Sequence, residues 1–207
     1  MKTIFLLAGF YFSIVGYSQS GDSIFFQLFS QAGDSMAAYK YNKAIALLDS
    51  CIKINKSDAN LYNMRGCATI YQDAINDEKN NKTAIQFFNK AIQTDSTDYR
   101  YYVNRGWAWQ NLDKYANSLK DYKKALSLDT NNVELHGHVL RSLWIQNKNK
   151  EAYAYSNKII RQFPNDGYAY YVRGQLKRDY LHKYPEGNKD IKIAEELRWE
   201  RGFNLYY

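Results

Sequence analysis

Two short motifs near opposite ends of the chain carry the residue types that nucleophilic catalysis needs. Gly21-Asp22-Ser23 offers a serine hydroxyl, and Asp179-Tyr180-Leu181-His182 offers a histidine with a carboxylate three residues before it. A serine becomes a nucleophile when a histidine accepts its proton and a carboxylate orients that histidine. The two motifs therefore define one hypothesis, an exported hydrolase that uses Ser23.

These motifs are similar to the outer motifs of lipase-like serine esterases. That family holds its catalytic residues on a parallel α/β sheet, and the residues between Ser23 and Asp179 contain no alternating strand pattern of useful length. Matches of four residues also arise by chance. We therefore expect no catalytic residues and treat the hydrolase as the alternative hypothesis.

Metal and cofactor chemistry has little support in the sequence. His136 and His138 are two residues apart, so on a helix they point to different sides. The chain has no His-Glu-x-x-His motif, no paired Cys-x-x-Cys motif and no phosphate-binding glycine loop. We expect neither a metal nor a cofactor.

Residues 1–20 have the pattern of a secretory signal peptide. Lys2 is followed by an apolar run from Ile4 to Val15 and then by small residues suited to cleavage after Ser18 or Ser20. The run is too short for a spanning helix, which needs about 20 apolar residues. The sequence predicts an exported protein, periplasmic or secreted, without a transmembrane segment after cleavage.

Export gives two interpretations for the cysteines, Cys51 and Cys67. An even pair in an oxidising compartment can form a disulfide, which would stabilise the fold by about 3 kcal/mol. The alternative is two small buried thiols that pack where helices meet.

Positive charge is concentrated at the C-terminal end. Residues 141–207 contain 13 Lys/Arg and 8 Asp/Glu, whereas residues 21–140 contain 14 and 13. An anionic partner should prefer this end, so a binder of an anionic polymer is a further alternative. Because export argues against nucleic acid, we expect none.

Small residues return at a regular spacing, and this periodicity is the strongest signal in the sequence. Ala84, Ser118 and Ala152 are 34 residues apart, Gly187 follows after 35, and Ala44 precedes Ala84 by 40, which implies an insertion of six around residues 73–81. Glycine inside a helix costs about 1 kcal/mol relative to alanine, so its recurrence indicates close helix approach. We expect alanines of the second helices to meet these glycines. The recurring small positions are Gly66, Gly106, Gly174, Ala84, Ala91, Ala125 and Ala152.

This pattern resembles the tetratricopeptide repeat (TPR), a 34-residue unit of two antiparallel helices. Tyr102, Gly106, Ser118, Tyr122 and Ala125 occupy the family's characteristic positions in the unit that fits best. The resemblance implies an all-α, right-handed α-solenoid of about five helical hairpins over residues 21–207, followed by an aromatic tail. The implied units are 25–58, 59–98, 99–132, 133–166 and 167–201.

In this family the first helices line a concave groove that binds a protein or peptide. Carried over by position, the implied groove residues are Tyr71, Trp107, Gln110, Arg141, Trp144, Tyr171 and Arg178. Trp, Tyr and Arg dominate binding energy at interfaces, although aromatics on helices also serve as core. Trp109 is assigned to the core. The lysine and asparagine clamp that some members use for a C-terminal carboxylate is absent. The expected function is an exported scaffold or adaptor for envelope assembly, secretion or inhibition, with its oligomeric state open.

Two further expectations concern structure rather than binding. Arg105 and Arg173 are placed to pair with Asp121 and Asp190 in the second helix of their hairpins. The aromatic tail from Trp199 would form an exposed apolar patch unless it packs on the last repeat or on a partner.

Overall fold

The computed structural model describes residues 23–72 and 77–197, and these form α-helices joined by short turns, with no strand among them. The helices are α1 Ser23–Ala37, α2 Tyr41–Ile54, α3 Ala59–Tyr71, α4 Glu78–Thr94, α5 Tyr99–Asn111, α6 Tyr115–Leu128, α7 Val133–Ile145, α8 Asn149–Gln162, α9 Gly167–Asp179 and α10 Tyr184–Glu196. The expected signal peptide and aromatic tail lie outside the described residues. None of the helices in these ranges is long and apolar enough to cross a membrane.

The chain divides into two compact units, one ending at Lys114 and the other beginning at Tyr115. Unit 1 contains α1–α5, in which each helix packs against the next one along the chain. Unit 2 contains α6–α10, which pack in the same sequential manner. In each unit alternate helices also touch, α3 with α5 and α7 with α9. This sequential packing of short helices is the pattern of a repeat protein.

The first helix of four successive hairpins begins at the same kind of residue. The side chains of Asp58, Asp98, Asn132 and Asp166 accept hydrogen bonds from backbone N–H groups in the first turns of α3, α5, α7 and α9. Such a cap satisfies backbone N–H groups that would otherwise be unpaired, and it contributes about 1 kcal/mol to the stability of the helix. These caps fix where each repeat starts.

The turns inside four hairpins share one conformation. Tyr39, Asp113, Asn147 and His182 have φ between 54° and 57°, and a lysine follows each of them. The lysine N–H donates back to a carbonyl in the last turn of the first helix, as in Lys114 to Trp109 at 2.9 Å. This is the helix ending that usually places glycine at the left-handed position.

The recurring small residues are buried, but their contacts differ from our expectation. A Cβ on Gly66 would lie 2.6 Å from Cε1 of Phe88, and one on Gly174 would lie 2.9 Å from the backbone oxygen of Gly187. For Gly66 and Gly174 the nearest atoms are thus those of Phe88 and of α10, respectively, rather than those of an alanine. Gly106, Ala84, Ala91, Ala125 and Ala152 are all buried in the helix interfaces.

The expected ion pair of Arg173 with Asp190 is present. Arg173 donates from Nε and Nη2 to the two carboxylate oxygens of Asp190, each at 2.7 Å, and Lys177 lies 2.8 Å from the same carboxylate. Asp190 is only 3% exposed, and the pKa of its carboxyl is lowered because these two cations outweigh the effect of burial. Arg105 donates to Asn89 within unit 1.

The two cysteines correct the disulfide interpretation. Cys51 and Cys67 are free thiols in this structure, and they belong to two different apolar clusters of unit 1. Cys51 packs with Leu48 and Leu61, whereas Cys67 packs with Ile70 and Phe88. Burial raises the pKa of Cys51 to about 11 and that of Cys67 to about 12. Both residues therefore serve as small core side chains.

Candidate functional site

Two of the expected groove residues form an aromatic row on unit 1. Tyr71 on α3 stacks on Trp107 of α5, with ring centroids 5.7 Å apart and planes inclined by 29°. Tyr71 also stacks on Tyr41 at 5.6 Å, and Tyr39 and Tyr41 meet edge to face at 6.3 Å. We call Tyr39, Tyr41, Tyr71 and Trp107 the aromatic row. Groove positions on the first helices do not predict these two tyrosines. Tyr39 lies in the turn before α2, and Tyr41 is the first residue of that second helix.

The aromatic row is partly core and partly surface. Trp107 packs against the cluster of Cys67, Ile70 and Phe88, yet Tyr71 and Trp107 both keep part of their area exposed. Burial raises the pKa of the Tyr71 phenol, which is therefore neutral throughout the physiological range. The exposed fraction rises toward the end of the row, where Tyr39 is 60% exposed. The aromatic row therefore offers partly exposed rings whose positions are fixed by packing against the core.

Amide side chains fix the two helices that carry the row. Asn104 of α5 donates to Asn63 of α3 at 2.8 Å, and Asn111 donates to Asn81 of α4 at 3.0 Å. Asn63 and Asn111 thus connect neighbouring helices of unit 1. Asn81 is fully buried, so its bond also satisfies a group that would otherwise be costly. Gln110, on the same helix, is half-buried.

Unit 2 brings four of the expected groove residues onto α7 and α9. Trp144 of α7 meets Tyr171 of α9 edge to face, with centroids 6.0 Å apart. Arg141 lies near the phenols of Tyr122 and Tyr168, and its charge lowers the pKa of both, although burial dominates and raises each pKa overall. We call Arg141, Trp144, Tyr171, Gln175 and Arg178 the basic aromatic face. Tyr171, Gln175 and Arg178 share one side of α9 because they are spaced by four and three.

Arg178 differs from the other arginines with recorded contacts. Its Nε is buried and has no hydrogen-bond acceptor among the described residues. Its aliphatic stem lies against α10 so closely that a Cβ on Gly187 would come within 2.5 Å of its Cγ. By contrast, Arg65, Arg100 and Arg173 each bond a carboxylate within the fold. The side chain of Arg178 is thus held by packing, while its Nε–H group makes no hydrogen bond within the described residues.

The residues of the hydrolase hypothesis lie in different compact units. Ser23 is the exposed first residue of α1 in unit 1, whereas Asp179 and His182 lie at the turn between α9 and α10 in unit 2. Gly21 and Asp22 are outside the described residues. No group of three His, Cys, Asp or Glu residues in the described part of the chain could hold a metal ion.

A polar cleft of about 350 Å³ lies in unit 1 at the turns that precede α3 and α5. Its acidic residues, Asp58 and Asp95, already accept hydrogen bonds from the backbone of their own turns, at 2.9 Å from Asn60 and 2.8 Å from Thr97. The cleft is therefore explained by turn structure, and the aromatic surfaces are the stronger candidate sites.

Comparison with known proteins agrees with the repeat interpretation. The model of the tetratricopeptide repeat family matches residues 99–132, which contain α5 and α6. A crystal structure of the MamA protein superposes with a TM-score of 0.71 at 15% identity, covering 88% of this chain and 96% of that one. YrrB, described as a TPR protein with an unusual peptide-binding site, superposes with a TM-score of 0.67 at 16% identity, covering 86% and 94%. Residues 99–132 thus match a tetratricopeptide repeat, and the expected all-α TPR solenoid fold is confirmed.

Proposed function

We propose that this protein is a non-catalytic scaffold that binds segments of other polypeptides, with the aromatic row of unit 1 and the basic aromatic face of unit 2 as two separate candidate surfaces. The observation that carries the proposal is the stack of Tyr41, Tyr71 and Trp107, which is anchored in the core and still partly exposed. YrrB, which has the same fold, is described as having a peptide-binding site.

The physical basis is preorganisation. Tyr and Trp offer a large contact area with few rotatable bonds, so little conformational entropy is lost when a partner binds. Stacking of Tyr71 on two neighbouring rings removes much of that freedom in advance. Apolar contact with such a surface depends only weakly on salt, in contrast to binding of an anionic polymer, which weakens steeply as salt rises. A salt titration of partner binding separates these two functions.

Export is part of the proposal. Residues 4–15 and the small residues up to Ser20 support a cleaved signal peptide and a place in the periplasm or outside the cell. There the scaffold would serve envelope assembly, secretion or inhibition. Fractionation of the host cell and N-terminal sequencing of the mature protein test this, and a protein that retains Met1 in the cytosolic fraction would contradict it.

The binding test uses two tryptophans on one helix. Trp107 and Trp109 both pack against the same core cluster, but only Trp107 is recorded in the stack on Tyr71. Random peptides displayed on phage are selected on the wild-type chain, and their binding to Trp107→Ala and Trp109→Ala is compared. We expect loss of binding for Trp107→Ala and retention for Trp109→Ala, with similar helical content. Failure to enrich any peptide, or equal losses for both variants, would reject the aromatic row as the site.

We propose no catalytic role for Ser23. A serine-directed fluorophosphonate probe incubated with the purified protein should leave it unlabelled. Labelling that disappears in Ser23→Ala and in His182→Gln would establish the hydrolase instead.

A further inference from the structure

We infer that the basic aromatic face recognises the side-chain carboxylates of an acidic, apolar partner segment, with Arg178 as the residue that binds the carboxylate. This inference rests on the proposed function and specifies the chemistry of its partner on unit 2. It starts from the difference between Arg178 and the arginines that hold the helices together.

Two other arginines of the fold donate to internal acceptors. Arg173 bonds both oxygens of Asp190 and the amide oxygen of Asn157, and Arg65 bonds Asp49. The Arg178 Nε, in contrast, is enclosed without an acceptor among the described residues. A buried guanidinium N–H without an acceptor destabilises a fold, so this position needs a reason other than internal packing.

The packing of Arg178 prepares it to bind an anion. Close approach of α9 and α10 at Gly174 and Gly187 leaves room for the aliphatic stem of Arg178 alongside α10. The stem is therefore fixed before any ligand arrives, and the side chain remains half-exposed. A guanidinium held in this manner loses less entropy when it binds a carboxylate, which the two terminal Nη groups contact as parallel donors while Nε stays enclosed.

The neighbours of Arg178 indicate what accompanies the carboxylate. Tyr171 and Gln175 share its side of α9, and Tyr171 contacts Trp144 of α7. Arg141 adds a second positive charge on α7 near Tyr168. Residues 141–207 also carry a net positive charge in the sequence, which favours an anionic partner. Charge complementarity therefore favours an acidic segment with apolar or aromatic side chains between its carboxylates.

The test compares two labelled peptides by fluorescence polarisation against the full chain. One alternates glutamate with leucine, the other replaces each glutamate by glutamine, and both have amidated C-termini. We expect the glutamate peptide to bind about tenfold more tightly, and Arg178→Gln and Arg178→Lys to remove this preference. Arg161→Gln, at an exposed position on α8, is the matched control and should keep it. The thermal midpoint of Arg178→Gln should not fall, because Nε makes no internal hydrogen bond that the substitution would break.

Several results would overturn the inference. Equal affinity for the two peptides, absence of glutamate-peptide binding, or an equal loss in Arg161→Gln would each exclude Arg178 as a specific carboxylate site. Binding only to a version with a free C-terminal carboxylate would show end recognition instead. If the glutamine peptide binds equally well and Trp144→Ala abolishes that binding, the proposed function stands while the carboxylate inference fails.

Discussion

The Arg65 guanidinium donates from Nε to the Asp49 carboxylate across 2.7 Å and so ties α3 to the preceding helix α2. The same backward step of sixteen residues recurs in two further pairs, Arg105 with Asn89 at 2.7 Å and Arg173 with Asn157 at 3.0 Å. The acceptor is a short carboxylate or amide each time, at the same place in the second helix of one hairpin. These pairs form a recurrent connection between successive hairpins.

The first prediction tests that connection. Asp49→Ala should lower the free energy of unfolding by about 1 kcal/mol, because Arg65 is mostly buried and loses its acceptor, while partial exposure of Asp49 limits the effect. Asp49→Asn should cost less than half as much, since Asn89 and Asn157 perform the same role elsewhere. Urea denaturation followed by circular dichroism measures both variants. Equal losses for alanine and asparagine would mean that charge, rather than the hydrogen bond, carries the connection.

The second prediction concerns two glycines on helices that touch each other. Gly174→Ala should destabilise the protein by about 2 kcal/mol, because its Cβ would lie 2.9 Å from the backbone oxygen of Gly187, which cannot move without shifting α10. Gly137→Ala should stabilise it by about 1 kcal/mol, because its Cβ would meet only Tyr168 at 3.9 Å and alanine favours the helix. Thermal denaturation of the two variants gives opposite shifts of the midpoint. Shifts of the same sign would reject close helix approach as the reason for Gly174.

The sequence predicts the repeat well and the contacts of single side chains less well. Periodic small residues and turn residues such as Asp98 and Asn132 encode helix starts and the close approach at Gly174, because backbone geometry is local. The prediction that an alanine packs against Gly66 was wrong, because the nearest side chain is that of Phe88. Which residue of α4 faces Gly66 depends on the rotation of α4 about its own axis.

The candidate site also contains residues that the sequence predicts and residues that it does not. Trp107, Trp144 and Tyr171 follow from repeat positions, and the structure places them in aromatic contacts on first helices. Tyr41 could not be found by position, because its stacking on Tyr71 arises from tertiary packing of a second helix. The role of Asn63 also depends on tertiary packing, because its amide oxygen accepts a hydrogen bond from Asn104 of another helix.

The third prediction uses the left-handed residues in the hairpin turns. His182 has φ of 55°, a conformation that disfavours most side chains by about 1 kcal/mol but that asparagine tolerates. His182→Asn should therefore raise the free energy of unfolding by about 0.5 kcal/mol. The matched exchange, Asn147→His at φ of 54°, should lower it by a similar amount. Differential scanning calorimetry of both variants checks the signs, and a destabilised His182→Asn would show that the imidazole makes a contribution beyond the turn.

The fourth prediction begins with a histidine that stands where three other repeats have tyrosine, namely Tyr62, Tyr102 and Tyr170. The hydroxyls of Tyr62 and Tyr102 donate to carbonyl oxygens six residues earlier, at 3.1 and 3.3 Å. His136 reaches the carbonyl of Thr130, also six residues earlier, through Nε2 at 3.2 Å. Since a carbonyl only accepts, Nε2 carries the proton, and Nδ1 accepts from the Tyr155 hydroxyl at 2.7 Å.

This arrangement favours neutral imidazole and makes unit 2 sensitive to acid. Burial lowers the pKa of His136 below its ordinary value of about 6.5, with the nearby Lys158 adding to the effect and the Thr130 carbonyl and Asp166 opposing it. Above about pH 6.5 the imidazole is neutral in both the folded and the unfolded state, so its contribution to stability is complete. As the pH falls below that value, the unfolded chain takes up the proton first, and the free energy of unfolding decreases. His136→Tyr, which copies the other repeats, should remove this loss between about pH 7.5 and about pH 5. Urea unfolding at a series of pH values measures the slope, and an unchanged slope in His136→Tyr would assign the acid sensitivity to the carboxylates instead.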